Sequence, residues 1–154
     1  GFYFAMKHLD FTRLNQILTD FGLSAVEARA EELTGLMKGY IDLVFCYQGR
    51  YFLADYKSNY LGQTHGDYTG SVLINAMQEH RYDLQYLIYT VAMHRYLGTR
   101  IRGYDYTLHF GGVYYLFLRG MHPDYPPGNG VYYTVPPRGL IEQLDACFGS
   151  MEEG

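Results

Sequence analysis

Leu36-Met37-Lys38-Gly39-Tyr40-Ile41-Asp42-Leu43-Val44-Phe45-Cys46-Tyr47-Gln48-Gly49-Arg50-Tyr51-Phe52-Leu53-Ala54-Asp55-Tyr56-Lys57 is the stretch that decides the fold. Leu36 to Tyr47 and Arg50 to Lys57 both read as apolar, aromatic-rich strands. Gln48-Gly49 between them is a tight-turn signal, so a β-hairpin is expected. Each run is interrupted by charge: Asp42 in the first, Asp55 and Lys57 in the second. A desolvated charge is costly unless it meets a partner or a metal. Residues two apart on a strand share a face, so Asp55 and Lys57 point the same way, and Asp42 joins them if its strand pairs with theirs. Two carboxylates and an ammonium converging on a sheet face suit a divalent cation, an attacking water and a phosphodiester.

Working outward, Gly1 to Met6 reads as a strand. Asp10 stands where it would cap a helix running to about Asp20, with Phe11, Leu14, Leu18 and Phe21 at helical spacing and Gly22 at the C-cap. Ser24 to Thr34 is acidic and Ala-rich, a helical turn or a surface loop. Downstream, Ser58 to Thr69 has loop chemistry and Ser71 to about Gln78 is a short helix. Arg81 to Leu97 is the strongest helical pattern, ended by Gly98. Tyr104 to Leu118 is expected as one long strand, bulged or bent at Gly111-Gly112. A Pro/Gly loop from Met121 to Gly130, a strand from Val131 to Val135 and a helix from Leu140 to Phe148 follow. No repeat or linker divides the chain, so a single α/β domain over residues 1–154 is expected. The strand-like opening without an initiator methionine reads as a fragment of a longer polypeptide.

Composition narrows the function. Of 154 residues, 48% are hydrophobic, which argues for a packed core. No apolar run approaches the ~20 residues of a membrane helix, so no membrane partner is expected. Two cysteines, Cys46 and Cys147, outside any CxxC pair argue against a disulfide framework and disfavour structural zinc, which fits a reducing cytoplasm. The net charge of −4 argues against a free-standing duplex-binding module. It argues less against a catalytic domain whose phosphate affinity comes from elsewhere or from a bound metal. Most of the 18 tyrosines are assigned to core and sheet, where packing alone favours them. The absence of a G-x-x-x-x-G-K-[ST] loop means no ATP hydrolysis is expected of this segment.

The hairpin stretch, the run His80-Arg81-Tyr82-Asp83-Leu84-Gln85-Tyr86 through Tyr89, and the run Phe110-Gly111-Gly112-Val113-Tyr114-Tyr115-Leu116-Phe117-Leu118-Arg119-Gly120 together resemble one family. The chain resembles the RecB-type nuclease domains of the PD-(D/E)xK superfamily. The first run looks like that family's metal-binding hairpin, the second like its Q-x-x-x-Y motif and the third like the strand that follows. The resemblance implies a restriction-endonuclease-like α/β fold: a mixed sheet flanked by helices, its first core helix lying upstream of Gly1. That helix usually carries a further metal ligand. None of His8, His65, His80, His94, His109 or His122 occupies the matching position, so the role passes to no residue here.

By the same resemblance, Asp42 and Asp55 ligate Mg²⁺, for which Mn²⁺ or Ca²⁺ can substitute, and the main-chain carbonyl of Tyr56 adds a further ligand. Lys57 positions the attacking water and balances transition-state charge. Gln85, Tyr89, Ser58, Asn59 and Arg81 support the site or contact DNA. The substrate implied is single-stranded DNA from unwound duplex ends. The parent would be the beta subunit of a helicase–nuclease, working with gamma and alpha subunits and a recombinase. An isolated Asp-x-Lys on a strand would be a surface ion pair worth ~0–1 kcal/mol. The second carboxylate, the hairpin and the helix motif set this one apart. Two rivals remain. One is a catalytically incomplete interaction module docking a recombinase or partner subunit. The other is a different PD-(D/E)xK exonuclease, some of which carry four cysteines for an iron–sulfur cluster.

Overall fold

The computed structural model describes residues 2–4, 9–27, 40–149 and 151–153, and these fall into two compact units. One comprises Gly1–Tyr40, Leu87–Thr107 and Pro136–Gly154; the other comprises Ile41–Tyr86 and Leu108–Val135. Among the described residues no helix is long and apolar enough to cross a membrane.

In the first unit, Asp10 caps α1 (Phe11–Asp20) by accepting a hydrogen bond from the Arg13 amide at 3.1 Å. Gly22, at φ +76°, takes the chain out beyond it. Of the predicted apolar stripe, Leu14 and Leu18 are buried, joined by Ile17, whereas Phe11 and Phe21 are half-buried. The helix packs against α5 (Arg138–Phe148), which buries Leu140, Ile141, Leu144 and Phe148. The Asn15 side chain ties down the backbone of Val26, accepting from its amide at 2.7 Å and donating to its carbonyl at 3.3 Å. The opening strand β1 (Phe2–Phe4) is present, but it does not join the hairpin's sheet. It pairs antiparallel with β6 (Met151–Glu153), Phe2 opposite Glu153. That partner lies at the far end of the chain, which no local pattern announces.

The second unit is built on a four-stranded mixed sheet in the order β2 (Leu43–Tyr47), β3 (Arg50–Lys57), β4 (Phe110–Phe117), β5 (Val131–Thr134). β2 and β3 form the expected hairpin, with Gln48 at φ +51° and Gly49 at φ +76°, the paired positive dihedrals of a type I′ turn. β3 and β4 are parallel, a pairing that requires a crossover. α2 (Gly70–Glu79) and α3 (Tyr82–Arg100) supply it; the start of α3, as far as Tyr86, belongs to this unit and the rest to the other. β5 returns antiparallel to β4. The predicted bulge is real: Tyr51 pairs with Phe110 but Phe52 with Gly112, leaving Gly111 as the extra residue. A Cβ at Gly111 would lie 2.3 Å from the Phe52 ring, so glycine is required there. Leu53, Val113, Tyr115 and Phe117 bury one face of the sheet. Phe45, Phe52, Tyr114 and Tyr133 stack along the other. The architecture is therefore α/β, a mixed sheet flanked by helices, as the restriction-endonuclease-like expectation required.

Four local expectations need correction. The first strand begins at Leu43 rather than Leu36; Ile41 and Asp42 lead into it in a bend, and residues 36–39 lie outside the described residues. The Tyr56 amide, next in line for a ladder partner, binds the Asp42 carboxylate instead, at 2.8 Å. Arg81 precedes α3 at φ +50° and is not helical. Gly98 does not end that helix, which runs on to Arg100. One glycine costs a helix only about 1 kcal/mol, and the neighbouring Leu97 is buried. Finally, Tyr104 to His109 is not strand. A short helix, α4 (Tyr106–His109), precedes β4, and the buried Tyr106 hydroxyl donates to the Pro136 carbonyl at 2.6 Å. Of the segment Ser24 to Thr34, residues 24–27 are irregular and the rest lie outside the described residues.

Candidate active site

The β3 alternation sends Asp55 and Lys57 to the buried face, where they form an ion pair, Nζ to Oδ2 at 2.7 Å. Asp55 is only 4% exposed, and the Lys57 side chain 15%. Tyr115 lies opposite Asp55 on β4, and Phe117 opposite Lys57. The ammonium also sits 4.2 Å from the centroid of the Tyr82 ring and 5.5 Å from that of Tyr115. Its charge is thus held by one carboxylate and two aromatic faces. Tyr82 and Tyr115 stack on each other with centroids 5.6 Å apart.

Asp42 reaches the same place from the bend before β2. Its Oδ2 accepts from the Tyr56 amide, and its carboxylate lies beside that of Asp55. Burial pushes the Asp55 carboxyl above its ordinary range. Lys57 pulls it back down through a hydrogen bond and its charge, while the Asp42 carboxylate pushes it up again. The amide and carbonyl of a strand residue face the same edge. Because β2 pairing ends at Leu43 opposite Ala54, the Tyr56 carbonyl looks past the end of β2 on the Asp42 side. Two adjacent carboxylates and a carbonyl are hard oxygen donors, and one ammonium undercompensates the two acids. The donor set therefore fits a divalent cation that keeps several waters. Among the described residues, no three His, Cys, Asp or Glu side chains converge on one point.

No family model matches the chain. Curated proteins do. It is 54% identical over 120 residues to RecBCD enzyme subunit RecB of Escherichia coli (strain K12), covering 78% of this chain and 10% of that protein. It is 46% identical over 149 residues to RecB of Haemophilus influenzae, covering 96% of this chain and 12% of the relative. RecB of Mycobacterium tuberculosis (strain H37Rv) is 42% identical over 120 residues, 74% of this chain and 11% of the relative. The chain belongs to the RecB family. It spans about a tenth of the length of the RecB subunits it matches. The Haemophilus match covers nearly the whole chain, so both compact units fall within the RecB-like region.

The remaining residues singled out within this RecB-like segment are distributed unevenly. Gln85 is drawn in: its Oε1 accepts from the Tyr115 hydroxyl at 2.7 Å, so it braces a ring that faces Lys57. Asn59 is drawn in too, exchanging hydrogen bonds with the Tyr82 hydroxyl at 3.1 and 3.2 Å. Ser58 keeps an exposed side chain while its carbonyl accepts from Arg119 Nε at 2.8 Å. The Arg81 guanidinium is engaged by Asp83, Nε to Oδ1 at 3.1 Å. Tyr89 is buried and belongs to the first unit, whereas Gln85 belongs to the second. His65 is exposed and tilts its ring against Tyr125 at 5.2 Å.

Sequence reasoning gave no role to Tyr82, Tyr115 or Arg119. Tyr115 was detectable only through the parallel register that sets it opposite Asp55. Tyr82 lies three residues before Gln85, one helical turn away, and that spacing was available in the sequence.

Proposed function

We propose that this chain is the metal-dependent nuclease domain of a RecBCD-type helicase–nuclease, hydrolysing phosphodiester bonds of unwound single-stranded DNA during double-strand-break repair by recombination. Both compact units belong to that one domain, and the parent works with alpha and gamma subunits and hands its product to a recombinase. One observation carries the reading: Asp42 and Asp55 lie side by side at the end of the hairpin, with Lys57 paired to the second at 2.7 Å.

Asp42, Asp55 and the Tyr56 carbonyl would hold Mg²⁺. When bound, the cation polarises a phosphoryl oxygen and makes water a nucleophile near neutral pH. The protein's own part is positioning. Lys57 has three donors, and with one on Asp55 the others are left for a water or a phosphoryl oxygen. The Tyr82 and Tyr115 rings restrict where the ammonium can stand, and Gln85 restricts Tyr115. In a buried site such a fixed charge stabilises a transition state more than a mobile, solvated one. The net charge of −4 makes the cation and the rest of the parent protein the main sources of phosphate affinity.

The test is Mg²⁺-dependent cleavage of end-labelled single-stranded DNA by the intact parent protein, with calorimetric titration of Mn²⁺ or Ca²⁺. Lys57→Ala is expected to lower cleavage about 10²–10³-fold. Asp55→Asn and Asp42→Asn are expected to remove the heat of cation binding as well as cleavage. Cleavage that survives Lys57→Ala at full rate would defeat the mechanism.

A further inference from the structure

Between the turn His65–Tyr68, the start of α2 and the loop before β5 lies a cleft of about 310 Å³, lined by His65, Thr69, Gly70, Leu73, Asn129 and Val131 among others. That is the lower end of the ~300–1,000 Å³ range of small-molecule sites. We propose that this cleft takes one unpaired nucleotide of the single-stranded DNA, its base inside and its phosphate at the start of α2. The proposal rests on the nuclease reading above and adds a binding site to it.

Four features of the cleft converge on that ligand. The first concerns α2, whose N-cap residue Thr69 makes no capping bond; its hydroxyl donates instead to the Gly66 carbonyl at 3.0 Å. A ten-residue helix thus presents uncapped amides and the positive end of its dipole to the cleft, the environment that favours a phosphate. The second is Asn129, which is 7% exposed. Its amide nitrogen donates to the Gly120 carbonyl at 2.6 Å and the His65 carbonyl at 3.1 Å, which fixes the orientation of the group. Its Oδ1 is then left with no hydrogen-bond partner among the described residues. An orphaned buried acceptor is costly, and a base that draws Oδ1 into the cleft and offers it an amino or imino N–H would satisfy it.

The third feature is aromatic. His65, which lines the cleft, has its ring 5.2 Å from that of Tyr125, the residue before the lining Pro126, and a base can stack on such faces. The fourth is charge: in a chain of net charge −4, no described residue lining the cleft is acidic.

The cleft is also wired to the candidate active site. Arg119 donates to the carbonyl of Ser58, the residue after Lys57, and its guanidinium lies 5.9 Å from the exposed Tyr60 ring. The next residue, Gly120, receives the Asn129 amide.

The experiment uses single-stranded oligonucleotides carrying 5-iododeoxyuridine at successive positions, irradiated with the intact parent protein bearing Lys57→Ala and Ca²⁺ so that the strand stays whole. Crosslinks from one or two adjacent positions are expected on the peptides holding His65 and Tyr125. In protein with Lys57 restored, Tyr125→Ala is expected to raise KM for oligonucleotide cleavage about five- to tenfold, more than it lowers kcat, and Tyr125→Phe to keep both near the parent values. Crosslinks confined to other segments, together with an unchanged KM for Tyr125→Ala, would overturn the proposal. Crosslinking is scored without turnover, so loss of the nuclease reading, seen as absent or Lys57-independent cleavage, is a separate result.

Discussion

Asp55 stands where three opposed influences meet: burial, the Lys57 ammonium and the Asp42 carboxylate. Their net effect is a folded-state carboxyl that holds its proton more tightly than the unfolded chain does. Its contribution to stability is therefore complete below the unfolded value of 3.8 and is lost as pH rises through the higher folded value. Asp55→Asn removes that loss. In urea melts of the cation-free chain, the stability of the variant relative to the parent should improve as pH rises from about 4 through the higher folded value. A flat difference across that window would show that Lys57 compensates the charge fully. Tyr82 yields a second expectation. Tyr82→Leu removes the ring beneath Lys57 and the bonds to Asn59, interactions of the ~0.5–2 kcal/mol class. Cleavage should fall several-fold and its pH profile should shift, whereas Tyr82→Phe, which keeps the ring, should preserve the profile. Asp55 and Lys57 were legible because strand alternation alone puts them on one face. The Tyr115 contribution was not, because it depends on which strand lies beside β3.

The hairpin and the β4 bulge are the elements that aim these side chains. Gln48 occupies a left-handed position that most side chains resist and asparagine tolerates. Gln48→Asn should stabilise the chain by about 0.5–1 kcal/mol in urea melts, with no change in cleavage. Gly111→Ala should do the reverse, costing about 1–3 kcal/mol, because the new methyl group meets the Phe52 ring, itself stacked on Phe45. An unchanged midpoint for that variant would mean the bulge can slide without cost. Both features were readable because turn and bulge chemistry is local. The run from Tyr104 to His109 was not: its aromatic pattern suits a strand equally well, and the Tyr106 bond to Pro136, thirty residues on, accompanies the helix.

For the whole molecule, the two carboxylates make folding responsive to a cation. A ligand bound only by the native state stabilises it in proportion to the logarithm of its concentration. Mn²⁺ or Ca²⁺ at about tenfold above its Kd should raise Tm by roughly 3–6 °C, measured calorimetrically at neutral pH. Asp42→Asn should abolish the shift. A shift that persists in that variant would put the cation elsewhere.

The sequence by itself determined the α/β class, the hairpin with its turn, the capped first helix and the pairing of Asp55 with Lys57. Each of these follows from neighbours within a few residues, where alternation, capping and turn geometry act. Only the tertiary structure decided that β1 pairs with β6, that Asp42 leaves its strand to bind the Tyr56 amide, and that Tyr82, Tyr115 and Gln85 surround the lysine. Those arrangements join residues far apart in the chain. Their energies come from packing and from satisfying buried polar groups, which no local pattern encodes.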